Sequence, residues 1–80
     1  MSEQTGIGFD YLASAELYFP ASMGRSGGMN YRRFSTVSLA LDFVFGSLSG
    51  PRLAAAAMEV DGTRYAVDGI RRLQAERPGS

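Results

Sequence analysis

The chain has no cysteine, no histidine, no tryptophan and no lysine, and only three prolines, in 80 residues. Each absence removes some chemistry. Without cysteine there is no disulfide, no thiol nucleophile and no thiolate–metal site. Without histidine there is no imidazole ligand and no Ser-His-Asp arrangement. A chain without cysteine is compatible with a reducing compartment. No long apolar run is present: the longest, Leu53–Met58, has six residues and is mostly alanine, far short of the ~20 that a membrane span needs. Met1-Ser2-Glu3-Gln4 offers neither the basic start nor the apolar stretch of a signal peptide. The expectation is a cytoplasmic protein with no membrane contact, no metal and no cofactor.

Charge of one sign is lacking too. Eight basic and eight acidic residues give zero net charge, so no global field draws the chain to nucleic acid or membrane. All eight basic residues are arginine. A GC-rich genome explains that; selection for forked hydrogen bonding to carboxylate or phosphate would explain it as well.

What is present is concentrated between Phe34 and Leu48. Val37, Leu41, Val44 and Leu48 recur at helical steps, with Ala40 and Phe45 on the flanks. The same stretch also alternates apolar and polar in places, as a half-buried strand would. Local signals favour the helix, because the strand would have to run about thirteen residues, long for so small a domain. Ser35 is the expected N-cap, Phe34 and Leu39 a hydrophobic staple, and Gly50-Pro51 the stop.

Before this helix, Ala15-Glu16-Leu17-Tyr18-Phe19 alternates and ends at Pro20, which predicts a short edge strand or an extended docking segment. Tyr31-Arg32-Arg33-Phe34 reads as a short extended segment, with Tyr31 and Arg33 on one face and Arg32 and Phe34 on the other. After it, Asp61-Gly62 between two alternating runs specifies a two-residue type I′ hairpin. That hairpin pairs Val60 with Thr63, Met58 with Tyr65 and Ala56 with Val67. Asp68 is expected to cap a last helix, Gly69–Glu76, with Ile70 and Leu73 pointing inward. The predicted class is α+β in one small domain, 15–76. A flexible N-terminus (1–14), a flexible loop (20–30) and a tail (77–80) complete it.

Four segments carry a resemblance: Ala15-Glu16-Leu17-Tyr18-Phe19-Pro20, Tyr31-Arg32-Arg33-Phe34, Glu59-Val60-Asp61 and Ile70-Arg71-Arg72-Leu73. Together they resemble a family of small alphaproteobacterial proteins with no activity attached to it. The resemblance covers most of Ala15 to Leu73 and implies an amphipathic helix, rich in Ala and Glu, after Tyr-Arg-Arg-Phe. This chain departs from that pattern by carrying Leu39 and Gly46 where Glu is usual, and Asp42 where a basic residue is usual. An ordinarily charged helix face is therefore apolar here around Leu39 and Phe43.

Candidate sites follow from these features. Glu59, Asp61, Asp68 and Asp42 have local explanations in turn, cap and ion pair, so no catalytic residue is expected and the chain reads as non-enzymatic. The glycines lack the spacing and the lysine of a phosphate loop. A helix apolar nearly all round must be covered on both sides: its own hairpin can cover one, and either the N-terminal segment with Tyr11, Leu17, Tyr18 and Phe19 or a second protein covers the other. The expected function is accordingly protein binding, to itself as a homodimer or to another protein. The expected face carries Leu39 and Phe43 with Leu17 and Phe19, and Arg32 and Arg33 at the rim. The alternative is an RNA- or DNA-binding regulator using Tyr31, Arg32, Arg33, Arg71 and Arg72, since arginine interleaved with aromatics can contact phosphates and stack bases.

Overall fold

The computed structural model describes residues 9–21 and 28–78. Four strands and three helices follow in the order β1 (Ala15–Pro20), β2 (Met29–Phe34), α1 (Val37–Ser47), α2 (Gly50–Ala54), β3 (Ala57–Val60), β4 (Thr63–Tyr65) and α3 (Val67–Ala75). The strands form one antiparallel sheet in the order β2-β1-β3-β4. The class is the expected α+β.

The core is built from period-2 and period-3.6 patterns meeting across one interface. Ala15, Leu17 and Phe19 from β1, with Met58 and Val60 from β3, point to the same side of the sheet. There they meet Val37, Ala40, Leu41 and Val44 of α1, and Ile70 and Leu73 of α3. Leu17, Leu41, Met58 and Ile70 are fully enclosed, each worth about 1.5–3 kcal/mol of burial. The other side of the sheet carries no helix among the described residues.

The helical reading of Phe34–Leu48 holds, but its start lies one residue later than expected. Thr36, not Ser35, is the N-cap, and its hydroxyl accepts from the Leu39 amide at 3.1 Å. The two preceding amides of the first turn are also satisfied, and this explains the shift. Val37 N–H donates to the Ala13 carbonyl (2.8 Å) and Ser38 N–H to that of Tyr11 (3.2 Å). The staple is replaced as well: the Phe34 ring packs on Phe43, 5.6 Å between centroids, while Leu39 stays half exposed.

Gly50-Pro51 does not end α1. Ser47 does, and Gly50, at φ 58°, instead opens α2 with Pro51 in its first turn. β1 is a central strand, not an edge, because it pairs β2 on one side and β3 on the other. Pro20 is tolerated there because it sits past the end of β3, where no donor is needed. The Pro20 carbonyl accepts instead from Arg52 Nε of α2 at 3.2 Å.

The type I′ hairpin forms as expected, with Asp61 at φ 52° and Gly62 at φ 80°, and with Val60 opposite Thr63 and Met58 opposite Tyr65. Ala56 and Val67 do not pair: β4 stops at Tyr65 and Val67 already begins α3. Asp68 is therefore not the cap. It lies in the first turn, where its charge complements the helix dipole, behind an Ala66 N-cap that has no side-chain bond.

The boundaries also move. Of the segment 1–14, residues 1–8 lie outside the described residues, while Phe9, Tyr11 and Ala13 pack against the core. Tyr11 Oη donates to the Leu73 carbonyl at 2.8 Å. Of the loop 20–30, Pro20, Met29 and Asn30 belong to strands, and 22–27 lie outside the described residues. Arg77 of the expected tail is bonded to Asp42 at 2.8 Å, and 79–80 lie outside the described residues. Among the described residues, no helix is long and apolar enough to cross a membrane. Nor is there among them any group of three or more acidic side chains placed to hold a metal ion.

Candidate association edge

β2 is the outermost strand on one side of the sheet, and five of its six residues are exposed, with Phe34 half-buried. Its hydrogen-bonding phase follows from one contact. Ala21 N–H donates to the Gly28 carbonyl at 2.9 Å, in the same register as the strand pairs. Bonded and non-bonded pairs alternate along an antiparallel ladder. Asn30, Arg32 and Phe34 therefore exchange main-chain bonds with Phe19, Leu17 and Ala15. Met29, Tyr31 and Arg33 direct their N–H and C=O groups away from β1, toward the edge. Three successive outward donor–acceptor pairs result, and no described strand meets them.

The side chains of this strand divide by face. Arg32 and Phe34 lie on the helix side, where the Arg32 guanidinium stands 5.0 Å from the Phe43 centroid and 5.6 Å from that of Phe34. Phe43 also packs on Phe19, 5.3 Å between centroids. Leu39 lies one turn earlier on the same side of α1 and is 50% exposed. α1 thus leans over β1 and β2, and its outer flank adjoins the edge.

Met29, Tyr31 and Arg33 belong to the open face. Tyr31 faces Tyr18 across β1, with ring centroids 5.3 Å apart. Its hydroxyl titrates above the usual tyrosine range, through desolvation and then through the negative charge of the nearby Glu16 carboxylate. Next to this pair runs a cross-strand row, Arg33–Glu16–Glu59–Arg64. The Arg64 guanidinium lies 4.8 Å from the Tyr18 centroid. The two central carboxylates are flanked by one guanidinium at each end, so the charges of this row cancel.

The expected partner face does not survive as a single surface. Leu17 (0% exposed) and Phe19 (4%) are core residues, covered by the chain's own α1. Phe43 is half-buried against Phe19 and Phe34. Leu39 and Arg32 remain accessible on the helix side, and Arg33 opens on the opposite face. The five residues of the nucleic-acid reading are similarly dispersed. Tyr31 and Arg33 lie on the open face at one edge, Arg32 on the helix side, and Arg71 and Arg72 on α3 above the other half of the sheet. Arg72 borders a shallow cleft with Tyr65, Asp68, Gly69 and Leu73.

Met29 and Asn30 escaped sequence reasoning because the glycines before them mark a loop. The signal was the alternation of Met29, Tyr31 and Arg33, which extends the Tyr31–Phe34 segment two residues toward its start. Comparison with protein-family models, with curated proteins and with solved structures finds no match for this chain.

Proposed function

We propose that the chain is a non-enzymatic protein-association module of the cytoplasm, which binds a protein by adding a strand to the β2 edge. The observation that carries this reading is the row of outward main-chain groups at Met29, Tyr31 and Arg33, on a strand of six residues. Exposed edges are normally short, bulged or covered, because they template pairing with another chain. Strand addition draws its affinity from such main-chain groups and its specificity from alternate side chains. Here those are Met29 and Tyr31, 57% and 55% exposed, and Leu39 supplies an apolar contact on the helix side of the same edge. The lack of His and Cys supports the non-enzymatic part.

A second reading rests on one observation: the Tyr18–Tyr31 pair with Arg33 and Arg64 on the same face, an arrangement able to stack unpaired bases. Glu16 and Glu59, set between the two arginines, weigh against a phosphate chain there. Salt separates the readings, since phosphate contacts weaken steeply as salt rises and an edge interface responds little.

The test compares wild type with Arg33→Pro. Because the Arg33 N–H faces outward, proline removes an edge donor without removing a bond to β1. A complex with a defined protein chain that persists in high salt and is lost in Arg33→Pro supports the proposal. Complexes that only nucleic acid forms, or that ignore the substitution, overturn it.

A further inference from the structure

We propose that the occupant of the β2 edge is a second copy of this chain, paired antiparallel about a twofold axis through Tyr31. This rests on the strand-addition reading above and names the partner. A twofold axis perpendicular to the sheet keeps both helical layers on one side. Residues that face each other across it must then come from the same face. That leaves four registers within β2 that pair at least three residues, centred on Asn30, Tyr31, Arg32 or Arg33; the last sets two arginines directly opposite and leaves Met29 and Tyr31 past the end of the opposite strand.

The outward groups choose among them. With the axis at Tyr31, Tyr31 meets the partner's Tyr31, and Met29 meets the partner's Arg33 on each side. Every outward N–H and C=O of the strand is then bonded. With the axis at Asn30, Arg33 runs past the start of the opposite strand. With the axis at Arg32, Met29 runs past its end, and the two Arg32 side chains stand face to face on a closely spaced pair. Like charges directly opposite are unfavourable. The Tyr31 register instead sets Arg32 against the partner's Asn30, while the Arg32 guanidinium is already drawn back over Phe43. Zero net charge adds no long-range repulsion between copies.

The helical layer fits the same axis. α1 lies above β1 and β2, and adjacent strands are ~4.8 Å apart, so two α1 axes would be about 10 Å apart across the dimer. That is close to the separation at which helices pack. Leu39, on the outer flank of α1, enters this seam, which accounts for an apolar side chain left half exposed in the single chain. On the open face, the Tyr18–Tyr31 pair would continue through the axis as a row of four tyrosines.

The absence of cysteine makes the register directly readable. Facing residues of a bonded antiparallel pair have Cα atoms ~5.5 Å apart, within disulfide range. Tyr31→Cys alone is expected to cross-link under mild oxidation. Met29→Cys and Arg33→Cys should each fail alone, since each lies more than about 13 Å from its own copy, yet cross-link when mixed. Light scattering should give twice the 8.6 kDa chain mass. Arg33→Pro and Leu39→Glu, on different elements, should each raise the dissociation constant roughly tenfold or more.

Cross-linking by Arg32→Cys in place of Tyr31→Cys overturns the register. A wild-type monomer at every concentration overturns self-pairing. If that monomer still binds another chain in a manner sensitive to Arg33→Pro, the association reading stands without the dimer. If it binds none, both fall.

Discussion

The guanidinium of Arg32 lies 5.0 Å from the centre of the Phe43 ring, so the strand at the sheet's edge is tied to the helix above it. Phe43 in turn contacts Phe19 and Phe34. Phe43→Ala is expected to cost about 3 kcal/mol, the lower end of the range for aromatic truncation because the ring is only half-buried. Phe43→Leu should recover part of the loss. Urea unfolding followed by circular dichroism checks both, and equal midpoints for wild type and Phe43→Ala would show the ring is not a packing element.

Thr36→Ala should destabilise the fold by about 1 kcal/mol, since it removes the acceptor for the Leu39 amide. Ser35→Ala should be within about 0.5 kcal/mol of wild type, as for an ordinary surface change. The two midpoints measured side by side distinguish the caps, and the reverse order would place the helix start at Ser35.

Folding keeps the Tyr11 hydroxyl neutral to a higher pH than the unfolded chain does. Desolvation is the main cause, with the Glu76 carboxylate adding to it and Arg77 opposing. Above the ordinary tyrosine value of 10.0 the folded chain therefore binds more protons than the unfolded one. This contribution is complete below that pH and is lost as pH rises through the folded value. Tyr11→Phe should lower stability by about 1 kcal/mol at neutral pH, through the bond to Leu73. It should also flatten the decline above pH 10, a difference that denaturation curves at neutral and alkaline pH will show.

Leu17→Ala should cost about 2–5 kcal/mol, because the side chain is fully enclosed and leaves a cavity. Leu39→Glu, half exposed, should change the stability of the dilute chain by no more than about 0.5 kcal/mol. Comparable losses at the two sites would mean that Leu39 is covered within its own chain.

Much of the fold was legible because its signals are local. Asp61-Gly62 fixes a hairpin through two positive φ angles, and Val37, Leu41, Val44 and Leu48 fix the buried side of α1. What was not legible depends on distant partners. Ser35 and Thr36 are equivalent caps until Ala13 and Tyr11 occupy the first two amides. Ala15–Pro20 looks like an edge because proline is usually confined there, and only the shortness of β3 makes a central position acceptable. Val67 could extend a strand or begin a helix, and burial of Ile70 and Leu73 decides for the helix. For the candidate surface, Leu39 and the Tyr31–Phe34 alternation were readable. Leu17 and Phe19 were misassigned because an apolar residue in an isolated strand gives no indication of which chain will cover it.

The Tyr11–Leu73 bond spans 62 positions, and β1 must likewise wait for β3 to supply its second neighbour. During synthesis, the β1–β2 hairpin and α1 can associate while the rest is still being made. The centre of the sheet cannot close until β3 has been added, nor the helix seam under Tyr11 until Leu73 has. Completion of the fold is thus a late, long-range event whose rate is set by chain closure, not by helix or hairpin formation. Until β3 arrives, the side of β1 away from β2 is open, and the nascent chain is most exposed to pairing with its neighbours.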